Sequence, residues 1–211
     1  MRFRITLFIL FISYSGLAQM KAGSHSPDSA FLKGRIKGKI KQTHRWTDRL
    51  GDNYLVLTET DELTTPPGIA KKKSDCRDGC TDKEIYAYHF ITKDSLLWKL
   101  NDFVNACSFD NILEYRNGAT RITDLDKNGV AEIWIMYSMA CTGDVSPRTL
   151  KLIMYQGNKK YAMRGTSQPS PKMEDEKYGG KYVPAKEFLT LPQSFKDYAK
   201  KLWDKYLYDI E

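Results

Sequence analysis

The chain has 211 residues, of which 41% are hydrophobic, 12% aromatic and 28% charged, with a formal net charge of +7. That length supports one domain with a substantial core and is too short for two large ones; the aromatic content argues against a chain that is disordered throughout. No repeat of about 20–50 residues is visible, which excludes a solenoid or a complete propeller.

Residues 1–18 read as a secretory signal peptide: Arg2 and Arg4 precede an apolar run over 5–14, and small residues lead to a cut after Ala18. The run is about half of the roughly 20 residues a membrane span needs, so an uncleaved anchor is the weaker alternative. Gln19 stands where a lipid-modified cysteine would be, and no later segment is apolar enough to span a bilayer. The expected location is therefore the periplasm, the cell surface or the medium. Residues 19–30 are small and polar, a loose leader, and 31–211 form the single domain.

Residues 35–41 alternate Arg or Lys with Ile or Gly, which predicts a strand with Arg35, Lys37, Lys39 and Lys41 on one face and Ile36 and Ile40 on the other. Residues 45–48 extend it, Gly51-Asp52-Asn53 is a turn, and 54–58 return as the second strand of a hairpin. Residues 59–80 read as a long loop holding Pro66-Pro67-Gly68 and Lys71-Lys72-Lys73. Residues 85–92 are a strand rich in β-branched and aromatic types. Residues 96–104 fit either period and are read as strand because their neighbours are strands. Further strands are predicted over 112–115, 120–123, 131–139, 149–155 and 160–164, then a Pro/Gly/acid-rich loop over 166–181. After Pro192, the residues Phe195, Tyr198, Ala199, Leu202, Trp203, Tyr206 and Leu207 recur at helical steps, giving a helix with one apolar face, expected to dock on a sheet. The fold class is α+β: an antiparallel β-rich domain with a C-terminal amphipathic helix.

Four cysteines, Cys76, Cys80, Cys107 and Cys141, follow the signal peptide. Thiols oxidise after export, so two disulfides are expected, and three pairings are possible. Cys76–Cys80 with Cys107–Cys141 is favoured, because the segment between Cys76 and Cys80 is turn-rich and Gly79 permits a tight ring. A zinc site of Cys76, Cys80 and His89 is the alternative, with no common zinc spacing behind it.

Asp124-Leu125-Asp126-Lys127-Asn128-Gly129-Val130-Ala131-Glu132 carries oxygen side chains at alternate positions, then again at its last. Asp124, Asp126, Asn128, the Val130 carbonyl and Glu132 supply about five of the 6–8 oxygens Ca²⁺ takes, with water completing a structural site. Gly129 allows the sharp turn. Ile135 stands where an EF-hand needs its bidentate Glu, and the residues after the loop read as strand. Without a metal, Asn128-Gly129 would be a plain type I′ hairpin turn with solvated acids around it.

These nine residues resemble the calcium loops of FG-GAP-type repeats, which run strand–loop–strand; one copy makes no propeller. A wider set looks similar to a family of small exported bacterial proteins labelled surface polysaccharide biosynthesis protein. It comprises Arg45-Trp46-Thr47-Asp48, Gly51-Asp52-Asn53-Tyr54, the 122–132 segment, 141–147, 150–154 and 160–165. The resemblance implies a role in making or displaying surface polysaccharide and carries no catalytic residues.

Two function classes follow. The first is a non-catalytic exported protein supporting or binding surface polysaccharide, with the basic face of 35–41 and residues 71–73 meeting an acidic polymer and Trp46 and Tyr54 stacking on sugars. Singly, each of these reads more simply as edge-strand charge, solvated loop or core. The second is a glycan-active enzyme using two carboxylates about 5–10 Å apart, drawn from Asp102, Asp110 and Asp144. Asp144 is also a plain turn former, and His25, His44 and His89 stand in unrelated contexts. No phosphate loop, nucleotide fingerprint or serine elbow is present, and nothing but net charge points to nucleic acid.

Overall fold

Ile133-Trp134-Ile135-Met136-Tyr137 is apolar at every position, a pattern that asks for burial on both faces of a strand. The computed structural model, which describes residues 29–65, 79–91, 95–170 and 178–209, supplies both. Two antiparallel sheets face each other. The first holds β1 (Lys39–Asp48), β2 (Gly51–Glu59), β3 (Leu63–Thr65), β4 (Cys80–Ile91) and β5 (Ser95–Cys107). Within it β4 lies between β5 on one side and β2 then β3 on the other. The second holds β6 (Asp110–Tyr115), β7 (Arg121–Thr123), β8 (Glu132–Thr142), β9 (Thr149–Gln156), β10 (Lys159–Thr166) and β11 (Tyr182–Pro184). Among the described residues three helices complete the order: α1 (Ser29–Leu32), α2 (Lys186–Leu189) and α3 (Gln193–Lys205). This is the expected β-rich α+β domain with a C-terminal helix.

The central core lies between the sheets. Trp46, Leu55, Leu57, Ile85, Trp98 and Leu100 from the first meet Leu113, Ile133, Ile135, Tyr137, Ile153 and Tyr155 from the second. The alternate residues of β8 and β9, Trp134, Met136, Leu152 and Met154, face outward and are covered by Phe195, Ala199, Leu202 and Trp203 of α3. Each fully buried side chain of this size contributes about 1.5–3 kcal/mol, which is how a 13-residue helix is held without a side-chain N-cap bond. The outer face of the first sheet, with Val56, Tyr86, Tyr88 and Phe90, is covered by Phe31, Leu32 and Ile36. Among the described residues no helix is long and apolar enough to cross a membrane. Residues 1–18, most of the leader, Cys76 and residues 71–73 lie outside the described residues; Ser29 and Ala30, at the leader's end, begin α1.

Cys107–Cys141 is bonded and ties the end of β5 to the end of β8, one strand from each sheet. In the chain-entropy picture a loop of this size stabilises by about 4 kcal/mol. Cys80 is not free; the expectation for its bond rests on Cys76, outside the described residues.

Local expectations shift where side chains or glycine intervene. The strand predicted over 35–41 begins only at Lys39, because Gly38 has φ +86° and a Cβ there would sit 2.8 Å from the Glu59 backbone. The predicted Gly51-Asp52-Asn53 turn belongs to β2; the turn is Arg49-Leu50, where Asp48 Oδ1 accepts from the Leu50 N–H and the Asn53 side chain. The long loop over 59–80 contains β3, which pairs with β4. Residues 96–104 are strand, extended at both ends in β5. Tyr206 and Leu207 fall just past α3 and still pack on the outer core.

Candidate metal centre

The loop 124–131 joins two strands that pair at Thr123 and Glu132. Its ends are anchored in different cores, Leu125 on the helix side and Ala131 between the sheets. Asn128-Gly129 is not a two-residue hairpin turn: a type I′ turn needs positive φ at both residues, and here the positive values belong to Lys127 (56°) and Gly129 (77°). The loop is instead wound by its own polar groups. Asp126 Oδ1 accepts from the Asn128 N–H (3.2 Å), Asn128 Oδ1 from Val130 N–H (2.7 Å) and Asp124 Oδ2 from Gly129 N–H (3.1 Å).

This winding brings Asp124, Asp126 and Glu132 together, with one carboxylate oxygen from each lying within 4.8 Å of the others. Glu132 is fully buried. Its Oε2 accepts from Thr123 Oγ1 and the Leu125 N–H, and its Oε1 from the Gln156 amide. Burial pushes its carboxyl above the usual value, with Asp126 and Asp124 adding to the rise and the bonds from Thr123 and Leu125 opposing it. Asp124 Oδ1 is buried and has no hydrogen-bond partner. Among the described residues no ion pair joins a cationic side chain to any of the three acids; Gln156 Nε2 donates to Asp126 Oδ2 at 3.0 Å and to Glu132 Oε1 at 3.2 Å. A cluster that is crowded, partly desolvated and short of donors can hold a metal ion, and its oxygen-only donor set suits a hard cation. Asn128 shares the loop, yet its Oδ1 is committed to Val130 and its Nδ2 donates to Asp126 Oδ2.

Three residues that bond this loop directly, Arg49, Asp48 and Gln156, carry no local signal in the sequence. The Arg49-Leu50 turn braces the loop from the first sheet: Arg49 N–H donates to Gly129 O (2.8 Å), its guanidinium to Asn128 O (2.9 Å), and its side chain lies where a Gly129 Cβ would be, 2.6 Å away. Asp48 Oδ2 accepts from both the Ala131 N–H and the Trp46 indole. The brace runs on inward. Asn53 donates to Asp48 and Gly51, leaving its Oδ1 to accept from His89 Nε2 at 2.8 Å. His89 sits 5.1 Å from both Trp46 and Trp98 ring centres, and burial pushes its imidazole down to about 4. Gln156 reaches the acids because β9 pairs it directly with Glu132.

The other candidate residues separate. Trp46 is 1% exposed, buried in the central core, so it cannot stack on a sugar. Tyr54 is half-buried beside Phe31 and Arg45. The basic face over 35–41 is spent: Lys37 pairs with Glu84, Lys39 with Asp61 at 2.6 Å and Lys41 with Glu59 at 3.3 Å, while Arg35 lies over the Phe31 ring. Asp102 Oδ2 accepts from Tyr137 Oη and Lys151 Nζ. Asp144 accepts from Thr142 Oγ1 and Ser146 N–H, an Asp-initiated turn that pulls its carboxyl down to about 2, far from a general acid's range. Asp110 is exposed at the start of β6, opposite Thr142. His44 is pushed down by burial and by Arg121. No family model, curated protein or solved structure matches the chain.

Proposed function

We propose that the chain is an exported, non-catalytic envelope protein whose 124–132 loop holds one structural Ca²⁺ and whose domain supports or binds cell-surface polysaccharide. The observation that carries the first half is the meeting of Asp124, Asp126 and Glu132 around a buried, unpartnered Asp124 oxygen. Ca²⁺ is favoured over Mg²⁺ because a loop of mixed side-chain and backbone oxygens tolerates irregular, water-completed shells, whereas Mg²⁺ demands near-ideal octahedra. Asp124, Asp126 and Glu132 would be the protein ligands and Val130 O the backbone one; Asn128 would join only by releasing Val130. The ion would hold β7 and β8 at the point where Arg49 and Asp48 tie them to the other sheet. The polysaccharide half is supported by the resemblance in 45–54, 122–132, 141–147, 150–154 and 160–165 to the small exported family carrying that label.

Calorimetric titration tests the ion: one site with Kd of about 10⁻⁴–10⁻³ M for Ca²⁺ is expected, weaker for Mg²⁺ and lost in Asp124→Asn. Equal heats in wild type and variant would overturn it. A glycan array read at fixed Ca²⁺ tests the partner, with silence across surface polysaccharides overturning that half.

A further inference from the structure

The inner face of β10 does not end in core. Register places Lys160 beside Tyr155, and Arg164 beside Lys151, which in turn lies beside Tyr137. Tyr155, Tyr137 and Ala162, the residue between the two cations, belong to the central core, so all three cations share the face turned towards the first sheet. That sheet ends at β5, an edge strand; on β10 Ala162 is buried while Lys160 and Arg164 stay exposed. Opposite them stand Trp98, stacked on Tyr155 at 3.9 Å, and Asp102.

The charge balance at this rim does not close. Among the described residues Asp102 is the carboxylate at this rim, and it is already used: Oδ2 accepts from Tyr137 and from Lys151 at 2.5 Å, and Oδ1 from the Phe103 N–H. Lys160 and Arg164 have no carboxylate partner among the described residues, unlike Lys37, Lys39, Lys41, Arg116, Arg148 and Lys200. They also repel each other. Lys160 is held below its ordinary value, first by lost hydration and then by Arg164, with Lys151 adding and Asp102 opposing. The Trp98 indole N–H is a further buried donor with no acceptor. Lys160 Nζ lies 6.0 Å over the Tyr155 ring, and an anion seated between the two long side chains would supply acceptors to both.

We infer that Lys160 and Arg164, backed by Lys151, form a binding site for an anionic group, the carboxylate of an acidic sugar. The sugar as carrier rests on the polysaccharide reading above; the anion site rests on the geometry alone. Arg164 can offer two parallel donors to a carboxylate and Lys160 a point charge beside it, while Lys151 remains tied to Asp102.

The test is calorimetric titration of the full chain with a hyaluronan oligosaccharide, its methyl ester and inorganic phosphate, on wild type and on Lys160→Gln/Arg164→Gln. Both substituted side chains are exposed, and the variant's melting temperature is read alongside; Lys160→Arg serves as a charge-preserving check. The expected result is binding of the acid form, at least about tenfold weaker in the double variant with a flatter salt dependence, retained in Lys160→Arg and absent for the ester. Equal affinity in wild type and double variant, equal binding of the ester, or no binding of any anion overturns the site. Phosphate binding lost in the double variant, without hyaluronan binding, upholds the anion site and overturns the sugar. A glycan-array signal that survives the double substitution overturns this site and leaves the polysaccharide reading standing.

Discussion

Two runs of like charge end differently in this fold. The basic run that leads into β1 looks in sequence like an open cationic face, and the structure brings an acid to Lys37, Lys39 and Lys41 from elsewhere in the first sheet. The acidic loop between β7 and β8 reads in sequence as a calcium loop or, without a metal, as a turn with solvated acids, and the structure folds three carboxylates together and, among the described residues, pairs no cation with them. Charge density in a sequence therefore says little by itself. What distinguishes a ligand site from a solvated or paired surface is whether tertiary structure delivers counter-charges, and of these two runs it delivers them to the lysines. The rim of β10 follows the acidic loop's pattern with opposite sign.

The sharpest way to break the contrast is to remove the brace under the acidic loop. Asp48→Ala strands the Trp46 indole, the Ala131 N–H and the Asn53 amide, and is expected to cost about 4 kcal/mol by denaturant unfolding. A loss below about 1 kcal/mol would show that the loop stands without the first sheet. The same network has an acid-sensitive end. His89 is depressed from 6.5 to about 4, so its contribution is whole above pH 6.5 and is lost as pH falls towards 4, amounting to roughly 3 kcal/mol. His89→Phe should flatten unfolding free energy over that window, and an unchanged profile would contradict the assignment.

Glu132→Gln tests the loop's excess charge through its sign. Because the Glu132 carboxyl is raised above 4.5, its contribution in chelator is fullest below pH 4.5 and is lost as pH rises through the raised value. The amide cannot ionise, so at pH 8 in chelator the variant should be more stable than wild type by about 1 kcal/mol, and should no longer respond to Ca²⁺. A destabilised variant that still responds would mean the acids are not in excess. Smallest is the paired side of the comparison: Lys39 and Asp61 are both largely exposed, so Lys39→Gln should shift stability by less than about 0.5 kcal/mol.

The parts of this fold that were legible are those whose signal is local. Ile133 to Tyr137 announces a strand buried on two faces, the α3 pattern announces a helix with one apolar face, and the loop's oxygens are spaced along nine consecutive residues. The parts that were not legible depend on register between distant segments. Gln156 reaches Glu132 only because β9 lies beside β8, and Arg49 meets Asn128 across 79 positions of sequence. The alternation over 35–41 was real as a pattern, but Gly38 broke the strand, and the acids that neutralise it come from Glu59, Asp61 and Glu84. In sequence Lys160 and Arg164 are ordinary strand residues, since nothing in their own segment tells which face of β10 turns towards the first sheet.

The most direct measurement is the thermal midpoint of the full chain in chelator and in 10 mM Ca²⁺, a probe concentration of about 100 times a Kd near 10⁻⁴ M. Binding to the folded state alone then contributes about 2.7 kcal/mol, which for a domain of this size raises the midpoint by roughly 5–10 °C, and Asp124→Asn should abolish the rise. Superimposable melts for the wild-type protein in the two buffers would contradict the account.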